Sequence, residues 1–421
     1  MRRSHLWLAS ALALVTAAAA FAQRTDPRRP ATFVVGPTPG VAPTVRGDAH
    51  RTGVVRSPLP RAPLHVEWRF SAGGIEQPPV VTADAILVVS TNGNVIAVGH
   101  DGAEKWHQGL GVSSSNPSAP ALLADGTLVV VAGAVDAVAV GVQKTGVRFR
   151  TPLVGGLDSS LAPLAMDDGG VAVASESELA LLDASGNVRF RAPLPEPVVG
   201  PLLAQSSPTG SRILVAGKAT GVVFAWTPGR DVVRVGSFGA QVKGGAVLVD
   251  DNTLLAVVEG PRLMTLDLRQ GLAVPLSTFA GGSYFWPPAY RRGVAYTMAG
   301  LAGRTFAVGV DSAGQEVLRV PVATSLPGMA DAGAGPYVPP PHAPVIVDET
   351  GTLGFAAPDG PVGVVDPAGI VSTVGATVCG RVFQNRRAVT SVSSGGPGAM
   401  LVTCGTGNLV RIVHGVDVGE P

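Results

Sequence analysis

The sequence is poor in charged, aromatic and cysteine residues, and it lacks long stretches of helix-forming residues. Only 14% of its 421 residues are charged, 5% are aromatic and two are cysteine. Short runs of Val, Ala and Leu alternate instead with clusters of Gly, Pro, Asn and Asp, and the chain contains 55 Gly and 36 Pro. This composition is typical of strands joined by turns, and it argues against a helical protein.

Several kinds of catalytic and cofactor site are also missing from the sequence. No Gly-x-Ser-x-Gly elbow lies between a strand and a helix, which argues against a serine hydrolase. No helix-period segment follows a glycine cluster such as Gly109-Leu110-Gly111, so a phosphate-binding loop is not expected. The seven histidines are scattered, and none shows metal-ligand spacing to a neighbour. We therefore expect no catalytic residue, no metal and no cofactor.

The first 22 residues have the pattern of a signal peptide. Arg2-Arg3 precede an apolar stretch from Leu6 to Ala20, and small residues follow at Ala20-Phe21-Ala22. The stretch is shorter than the ~20 residues that span a bilayer, which counts against the alternative of a membrane anchor. We predict cleavage near Ala22 and a periplasmic or secreted mature chain that has no transmembrane segment.

The charge of the mature chain is nearly balanced. Removing Arg2 and Arg3 from the 31 basic residues leaves 29 against 30 acidic ones. This balance favours neither nucleic acid nor an acidic membrane as a partner. The only cysteines, Cys379 and Cys404, are 25 residues apart. In an oxidising compartment they are expected to form a disulfide, with a redox pair or a metal site as the alternative.

A short apolar strand, called the marker strand here, recurs from His65 onward. The steps between its copies are 42, 42, 43, 41, 42, 57 and 47 residues. A period near 42 matches one four-stranded propeller blade. The copies begin near Val95, Ala137, Leu179, Val222, Leu263, Thr305, Val362 and Leu409.

Each repeat divides into four strands in the same way. A first strand begins beside a proline in most units, where a missing amide donor is tolerated, and a turn leads to a second strand. The marker strand is third, and a turn such as Asp183-Ala184-Ser185-Gly186-Asn187 follows it. The fourth strand, as in Val147-Arg148-Phe149-Arg150, alternates polar and apolar residues, which is typical of an outer strand with one face in water.

The eighth repeat runs out of chain before its fourth strand. A matching strand, His65-Val66-Glu67-Trp68-Arg69-Phe70, precedes the first complete repeat. If it completes the last blade, the ring closes and two open edges disappear. We therefore predict an all-β, eight-bladed propeller of four-stranded antiparallel blades over residues 64–416, with seven blades as the alternative. Residues 23–63 are predicted to be a partly disordered linker, and residues 417–421 a tail.

Two steps exceed the period and indicate insertions. The step of 57 contains residues 323–341, a proline-rich stretch that cannot form sheet. We expect a loop that protrudes between blades six and seven. Pro327, Tyr337, Pro339 and His342 are its candidate binding residues, and a solvated, variable loop is the alternative interpretation.

The repeat pattern resembles that of the pyrroloquinoline-quinone-like (PQQ-like) propeller family. Asp101-Gly102-Ala103-Glu104-Lys105-Trp106 is similar to a shortened form of the family's docking motif. The segment Gly47-Asp48-Ala49-His50-Arg51-Thr52-Gly53 is similar to the lead-in common in such proteins. The resemblance covers about residues 47–415 and implies blades that dock through outer-strand aromatics. These aromatics are Trp68, Trp106, Phe149 and Phe190 here, and later units must rely on aliphatic packing.

The resemblance also indicates a class of function. Quinoprotein dehydrogenases of this fold hold their cofactor between a tryptophan and a vicinal disulfide beside a calcium ion, but this chain has no Cys-Cys pair and no acidic cluster with calcium-loop spacing. Members without that machinery look like binding or assembly scaffolds, including the outer-membrane assembly propellers. We therefore expect a monomeric, non-catalytic scaffold that binds a protein or envelope component.

Two alternatives to the scaffold remain open at this stage. One is a quinone- or sugar-active enzyme at the central channel. The other is a propeller that binds a small molecule or a glycan without turnover. Tyr284, Phe285 and Trp286 are candidate exposed aromatics for stacking on such a ligand, whereas packing inside a blade is the commoner role of aromatic residues.

Overall fold

The computed structural model describes residues 45–112, 117–206, 211–302, 304–324, 345–357, 361–374, 378–379 and 389–415. The regular structure of these ranges consists of strands, without helix, arranged in eight sheets. Each sheet has a core of four antiparallel strands, and the sheets are arranged radially as blades. The chain is thus an eight-bladed β-propeller, as the repeat period predicted.

The strands of the blades follow one another from the innermost to the outermost position. Blade 1 consists of β3 Val80–Val81, β4 Ile86–Val89, β5 Asn94–Val98 and β6 Glu104–Gly109, and blade 2 of β7 Ala121–Leu122, β8 Leu128–Ala132, β9 Val138–Gln143 and β10 Gly146–Pro152. Blade 3 consists of β11 Leu164–Ala165, β12 Val171–Ala174, β13 Glu178–Leu182 and β14 Val188–Pro193, and blade 4 of β15 Val198–Gln205, β16 Arg212–Gly217, β17 Val222–Trp226 and β18 Val233–Ser237.

Blades 5 to 8 continue the order, with two additions from the N-terminal segment and one split inner strand. Blade 5 consists of β19 Val242–Asp250, β20 Thr253–Val258, β21 Arg262–Asp267 and β22 Leu272–Thr278, and blade 6 of the split inner strand β23 Ser283–Tyr284 with β24 Ala289–Arg291, then β25 Val294–Leu301, β26 Arg304–Asp311 and β27 Glu316–Thr324. Blade 7 consists of the added β1 Val54–Val55, then β28 Val345–Asp348, β29 Leu353–Ala356, β30 Val362–Val365 and β31 Val371–Val374. Blade 8 consists of β32 Val389–Ser394, β33 Ala399–Cys404, β34 Asn408–His414 and the added β2 Leu64–Ser71.

The third strands coincide with the marker strands of the sequence. Each begins within one residue of the predicted position, from β5 in blade 1 to β34 in blade 8. They are mostly buried because both faces of a blade pack against neighbouring blades. The turns that follow them are held by aspartates, as in Asp183, whose Oδ1 accepts hydrogen bonds from the amides of Ser185 and Asn187 at 2.8 and 2.9 Å.

The closure predicted from the two ends of the chain is confirmed. Strand β2 pairs antiparallel with β34, in a register that runs from Leu64 opposite His414 to Ser71 opposite Asn408. The ion pair between Glu67 and Arg411 crosses this pairing. Blade 8 therefore receives its outermost strand from the N-terminal side of the chain, and the ring has no open joint at this point.

Neighbouring blades dock through a side chain that covers a glycine. The Cβ of an alanine at Gly186, in the third turn of blade 3, would lie 2.2 Å from Cγ of Phe149 on the outer strand of blade 2. Trp68 covers Gly102 in the same way, and its Nε1 donates to the carbonyl of His100 at 2.9 Å. In later blades aliphatic residues replace the aromatics, as where Val320 and Leu318 of blade 6 approach Gly369 of blade 7.

The predicted disulfide is present. Cys379 and Cys404 are bonded, with their Cα atoms 5.5 Å apart. Cys404 ends the second strand of blade 8, and Cys379 belongs to the connection that leads from blade 7 into blade 8. Both are buried, so the bond fixes the last joint of the ring.

The antiparallel order gives the ring two distinct faces. The face that carries the turns between second and third strands, together with the connections from one blade to the next, is called the connection face here. The opposite face, called the turn face, carries the remaining turns. Strand β27 ends at Thr324 and β28 begins at Val345, so the long insertion leaves and re-enters the ring at the connection face.

Candidate functional site

Residues 45–59, called the axial segment here, pass through the centre of the ring. Four of its carbonyls, those of Ala49, His50, Thr52 and Gly53, accept hydrogen bonds from inner-strand amides of blades 4 to 7. These amides belong to Ala204, Leu248, Tyr290 and Val347, at distances of 2.7 to 3.0 Å. Val54 and Val55 then pair in parallel with β28. The segment is thus held by backbone hydrogen bonds from four successive blades.

The two ends of the axial segment reach three further blades. Val45 packs in a buried cluster with Ala119 of blade 2 and Ala162 of blade 3. The carbonyl of Pro58 accepts from the amide of Gly398 in blade 8 at 2.8 Å. Contacts with seven of the eight blades place the axial segment at the hub of the propeller.

Arg51 is the most deeply buried charged group of this hub, with 0% of its surface exposed. Its Nε donates to the carbonyl of Leu202 at 2.9 Å, Nη1 to Val45 at 2.9 Å and Nη2 to Pro163 at 2.8 Å. Burial lowers the pKa of Arg51 to about 9, and the carboxylate of Asp48 opposes that shift. The guanidinium thus links the axial segment to blades 3 and 4.

Arg46 makes a second set of links on the other side of the hub. Its guanidinium donates to the carbonyls of Arg51, Pro287 and Pro288, the last two in blade 6. Burial lowers the pKa of Arg46 to about 10 against the influence of Asp48. Arg46 and Arg51 have φ angles of 63° and 58°, a left-handed conformation that non-glycine residues seldom adopt. Such strain persists only where surrounding contacts hold it, as the hub does here.

The contacts of the hub show whether a quinone cofactor, which dehydrogenases of the PQQ-like family bind, would fit at the centre of this ring. The two cysteines pair with each other across 25 residues and cannot form a vicinal disulfide. Backbone and side chains of the axial segment occupy the space between the inner strands of blades 3 to 7. These residues do not fit a quinone cofactor held on the axis.

The connection face presents a pair of exposed aliphatic side chains. Val135, in the turn between β8 and β9, is 78% exposed, and Val154, in the connection between blades 2 and 3, is 61% exposed. Their two segments are joined by hydrogen bonds from the amide of Ala137 to Gly155 at 3.0 Å and from Leu157 to Ala134 at 3.4 Å. The two valines therefore lie on adjoining segments of the same face, and we call them together the valine patch.

An ion-pair network lies beside the valine patch. Lys218, in a turn of blade 4, is 3.0 Å from Oδ2 of Asp158 and 3.0 Å from Oε1 of Glu176. Although partial burial alone would lower it, these hydrogen-bonded carboxylates raise the pKa of Lys218. The network joins blades 3 and 4 and gives the patch a polar border.

The remaining exposed large aliphatics lie on the perimeter of the ring. They occur at or near the start of the outermost strands of blades 3 to 7 and include Val188, Val233, Leu272, Val274, Val317 and Ile370. This position is close to the turn face. Among them Leu272 and Ile370, which are 61% and 63% exposed, match Val154 in exposure and provide control positions away from the valine patch.

The aromatic candidates lie elsewhere than expected for a stacking surface. Tyr284 and Trp286 are each 1% exposed and Phe285 is half-buried, so the interpretation of the first two as exposed aromatics is wrong. Tyr284 packs between blades 5 and 6, and Trp286 packs among residues of blades 6 and 7. Blade packing, the alternative interpretation, accounts for them. Pro327, Tyr337, Pro339 and His342 lie outside the described residues.

Sequence reasoning missed the hub as a structural element. The only signal was the lead-in segment from Gly47 to Gly53, which the sequence analysis placed in a linker. Within the described ranges, no three His, Cys, Asp or Glu side chains group closely enough to hold a metal ion. The same ranges contain no helix that is long and apolar enough to cross a bilayer.

Comparison with known proteins gives a likeness of fold. No protein-family model matches the chain, and no curated protein matches its sequence. The crystal structure of BamB from Moraxella catarrhalis is similar, with 14% identity and a TM-score of 0.54 over 86% of this chain and 100% of that one. The crystal structure of the computationally designed Ika8 protein is similar over 83% of this chain and 100% of that one, with 12% identity and a TM-score of 0.58.

The likeness is one of architecture. At identities of 14% and 12%, the structural likeness establishes the propeller fold alone and carries no information about what the chain binds. That one of the two matches is a computational design illustrates the point.

Proposed function

We propose that this protein is an exported, non-catalytic β-propeller that acts as a protein-binding or assembly scaffold in the cell envelope, and that it binds its partner through the connection face. The observation that carries the proposal is the filled hub. Because the axial segment occupies the centre of the ring, recognition falls to the outer surfaces. The resemblance of the repeat pattern to that of the assembly propellers supports the same interpretation.

The valine patch is the proposed contact point for the partner. Exposed aliphatic side chains bordered by charged groups are typical of protein interfaces. Val135 and Val154 meet this description, with Lys218 and its two carboxylates at the border. The long insertion between β27 and β28 belongs to the same face by its attachment points and is proposed as a second contact.

Partner capture from native envelope extracts tests the proposal. We expect the intact protein to recover a stable partner, and the double substitution Val135→Asp and Val154→Asp to reduce recovery by about tenfold or more, because unpaired carboxylates would be buried in the contact. Ile370→Asp, which is 63% exposed against 61% for Val154 but lies on the perimeter, is the matched control and should leave recovery unchanged. Repeated captures that return nothing, combined with catalysis or quinone absorbance in the purified protein, would overturn the scaffold.

The insertion is tested separately by deleting residues 325–341, which leaves β27 complete. If it binds the partner, the ring stays folded while recovery falls. Unchanged recovery would reject the insertion as a contact and leave the valine patch standing.

Two further parts of the proposal concern origin and location. We propose that the blades are PQQ-like repeats, supported by outer-strand aromatics that cover glycines of the next blade. An alignment of homologues should show each aromatic changing together with the glycine that it covers. We propose export of a monomeric mature chain that begins at Gln23, supported by the disulfide. Mass spectrometry of the purified protein and light scattering measure the N-terminus and the mass.

A further inference from the structure

Lys243 holds a positive charge at an unusual place in the propeller. It lies near the start of β19, the innermost strand of blade 5, at the end of that strand next to the connection face. Its half-buried Nζ is 3.2 Å from Oγ of Ser283 and 3.2 Å from the carbonyl oxygen of Tyr284. Both acceptors are neutral. An ammonium carries three N–H donors, so at least one remains for another acceptor.

A bulge of the inner strand sets the position of Lys243. Val242 pairs with Val258 and Ala246 with Ala256, so the three residues from Lys243 to Gly245 stand opposite a single residue of β20. Bulges of this kind re-aim side chains and are common beside functional sites. Gly245 has a φ of 110°, and a Cβ there would lie 3.0 Å from Cα of Gly200 in blade 4. The close approach of the two blades leaves the bulge little freedom to move.

The matching bulge in blade 4 contacts residues around the hub, whereas the described hydrogen bonds of the Lys243 side chain, in the bulge of blade 5, go to blade 6. In blade 4 the amide of Gly200 donates to Oγ of Ser160 at 2.8 Å, and the carbonyl of Leu202 accepts from Arg51. Both bonds stabilise the centre of the ring. The blade 5 bulge instead presents an ammonium toward the connection face, and packing alone gives no reason for a charge there.

The contrast with Lys218 shows what Lys243 lacks. Lys218 has two carboxylates at 3.0 Å. Among the described residues no carboxylate lies within ion-pair distance of Lys243, and Glu259 influences it only from farther away. Burial lowers the pKa of Lys243, and Glu259 opposes that shift. A partly desolvated cation without a counter-ion is costly, and a bound anion would remove much of that cost.

We propose that Lys243 is a binding site for a carboxylate group of the protein partner. The site lies on the connection face, where the innermost strand of blade 5 begins. The identity of the carrier rests on the proposed function, but the site can be tested without any partner. A carboxylate fits because one of its oxygens accepts a hydrogen bond from the remaining N–H of Lys243. Its second oxygen accepts one from the hydroxyl of Ser283, which otherwise donates to the carbonyl of Tyr284.

The chain allows a direct test because it contains four lysines, Lys105, Lys144, Lys218 and Lys243. Reductive methylation with ¹³C-formaldehyde gives each a separate NMR signal, assigned by Lys→Arg variants. We expect acetate to shift the Lys243 signal saturably and to raise the pKa of Lys243. Exposed Lys144, the matched control, should show a shift that is at least tenfold weaker at the same acetate concentration. A Lys243 signal that follows Lys144 would overturn the site.

Two further arms separate the alternatives. Glu259→Gln removes the nearest competing carboxylate and should leave acetate binding equal or stronger. Binding that appears only in this variant would mean that Glu259 is the natural partner of Lys243, and the proposal would fail. Inorganic phosphate replaces acetate in the second arm, and a response to phosphate with none to acetate would reject the carboxylate class.

Partner capture with Lys243→Gln completes the test. A loss of recovery of about tenfold is expected, while Lys144→Gln should have no effect. Acetate binding with full recovery from Lys243→Gln would reject the partner's carboxylate as the ligand. If the valine-patch variant loses recovery and Lys243→Gln does not, the scaffold proposal stands and only the carboxylate site at Lys243 is refuted. The two proposals can therefore be rejected independently of each other.

Discussion

Replacing Arg51 with alanine should destabilise the whole ring, because one guanidinium links the axial segment to two blades. It donates three hydrogen bonds to buried carbonyls, at 2.8 to 2.9 Å. Bonds from a charged donor contribute about 1.5–3 kcal/mol each, so the gross loss is roughly 5–9 kcal/mol. Burying the charge costs several kcal/mol in return, and breaking a buried charged contact typically costs about 3–5 kcal/mol net. We expect a loss within that range.

Urea unfolding followed by circular dichroism measures this loss through the midpoint and the slope. Arg51→Lys keeps the charge but not the planar fork of donors, so it should lose most of the same stability. Arg269→Ala is the matched control, since Arg269 is exposed in a turn of blade 5 and its change should stay within about 0.5 kcal/mol. A loss below about 1 kcal/mol for Arg51→Ala, or an equal loss for the control, would refute the hub as a stabilising element.

Two other contacts give sharp expectations. Gly186 has a φ of 83° and Gly126 a φ of 82°, so replacing either with alanine costs about 1–2 kcal/mol of backbone strain. Only at Gly186 would the new Cβ also collide with Phe149, whereas nothing lies within 4 Å of a Cβ at Gly126. Calorimetry should therefore show Gly186→Ala as the less stable by a further ~1–3 kcal/mol, and equal melting would exclude docking on the glycine. Replacing Cys379 and Cys404 together with alanine should cost about 3 kcal/mol, and unchanged unfolding in urea would show that the disulfide stabilises nothing.

The architecture was predictable because its signals are local and repeated. The turn at Asp183 is specified by an aspartate that accepts two backbone amides and by Gly186 at positive φ, and similar turns recur in other blades. Regular spacing of such turns reveals the period. The closing strand was predictable for the same reason, since its alternation from His65 to Phe70 matches that of Val147 to Arg150.

The hub was not predictable because nothing local specifies it. Residues 45–59 have no alternating pattern, and their partners are distant in sequence, as with Arg51 and Pro163, which are 112 residues apart. The lead-in of residues 23–63 is rich in Pro, Arg, Thr and Gly, a composition typical of a solvated linker, and nothing in it marks Arg51 as buried. Trp286 misled for a related reason. It lies in the break between β23 and β24, outside regular strand, where exposure is the usual expectation, but residues from blades 6 and 7 cover it.

The N-terminal segment completes the ring at two radial positions, and this constrains the order of assembly. Its β1 pairs with the innermost strand of blade 7, and β2 forms the outermost strand of blade 8. Between them the amide of Leu59 donates to Oδ2 of Asp348 at 2.9 Å, across 289 residues. Closing loops of this length costs entropy before any contact repays it, so we expect these pairings to form late. Until residue 414 has been made, β2 has no partner strand. Its charged residues, Glu67 and Arg69, disfavour pairing with a foreign strand edge during that interval. The same strand that closes the ring therefore carries its own protection against aggregation.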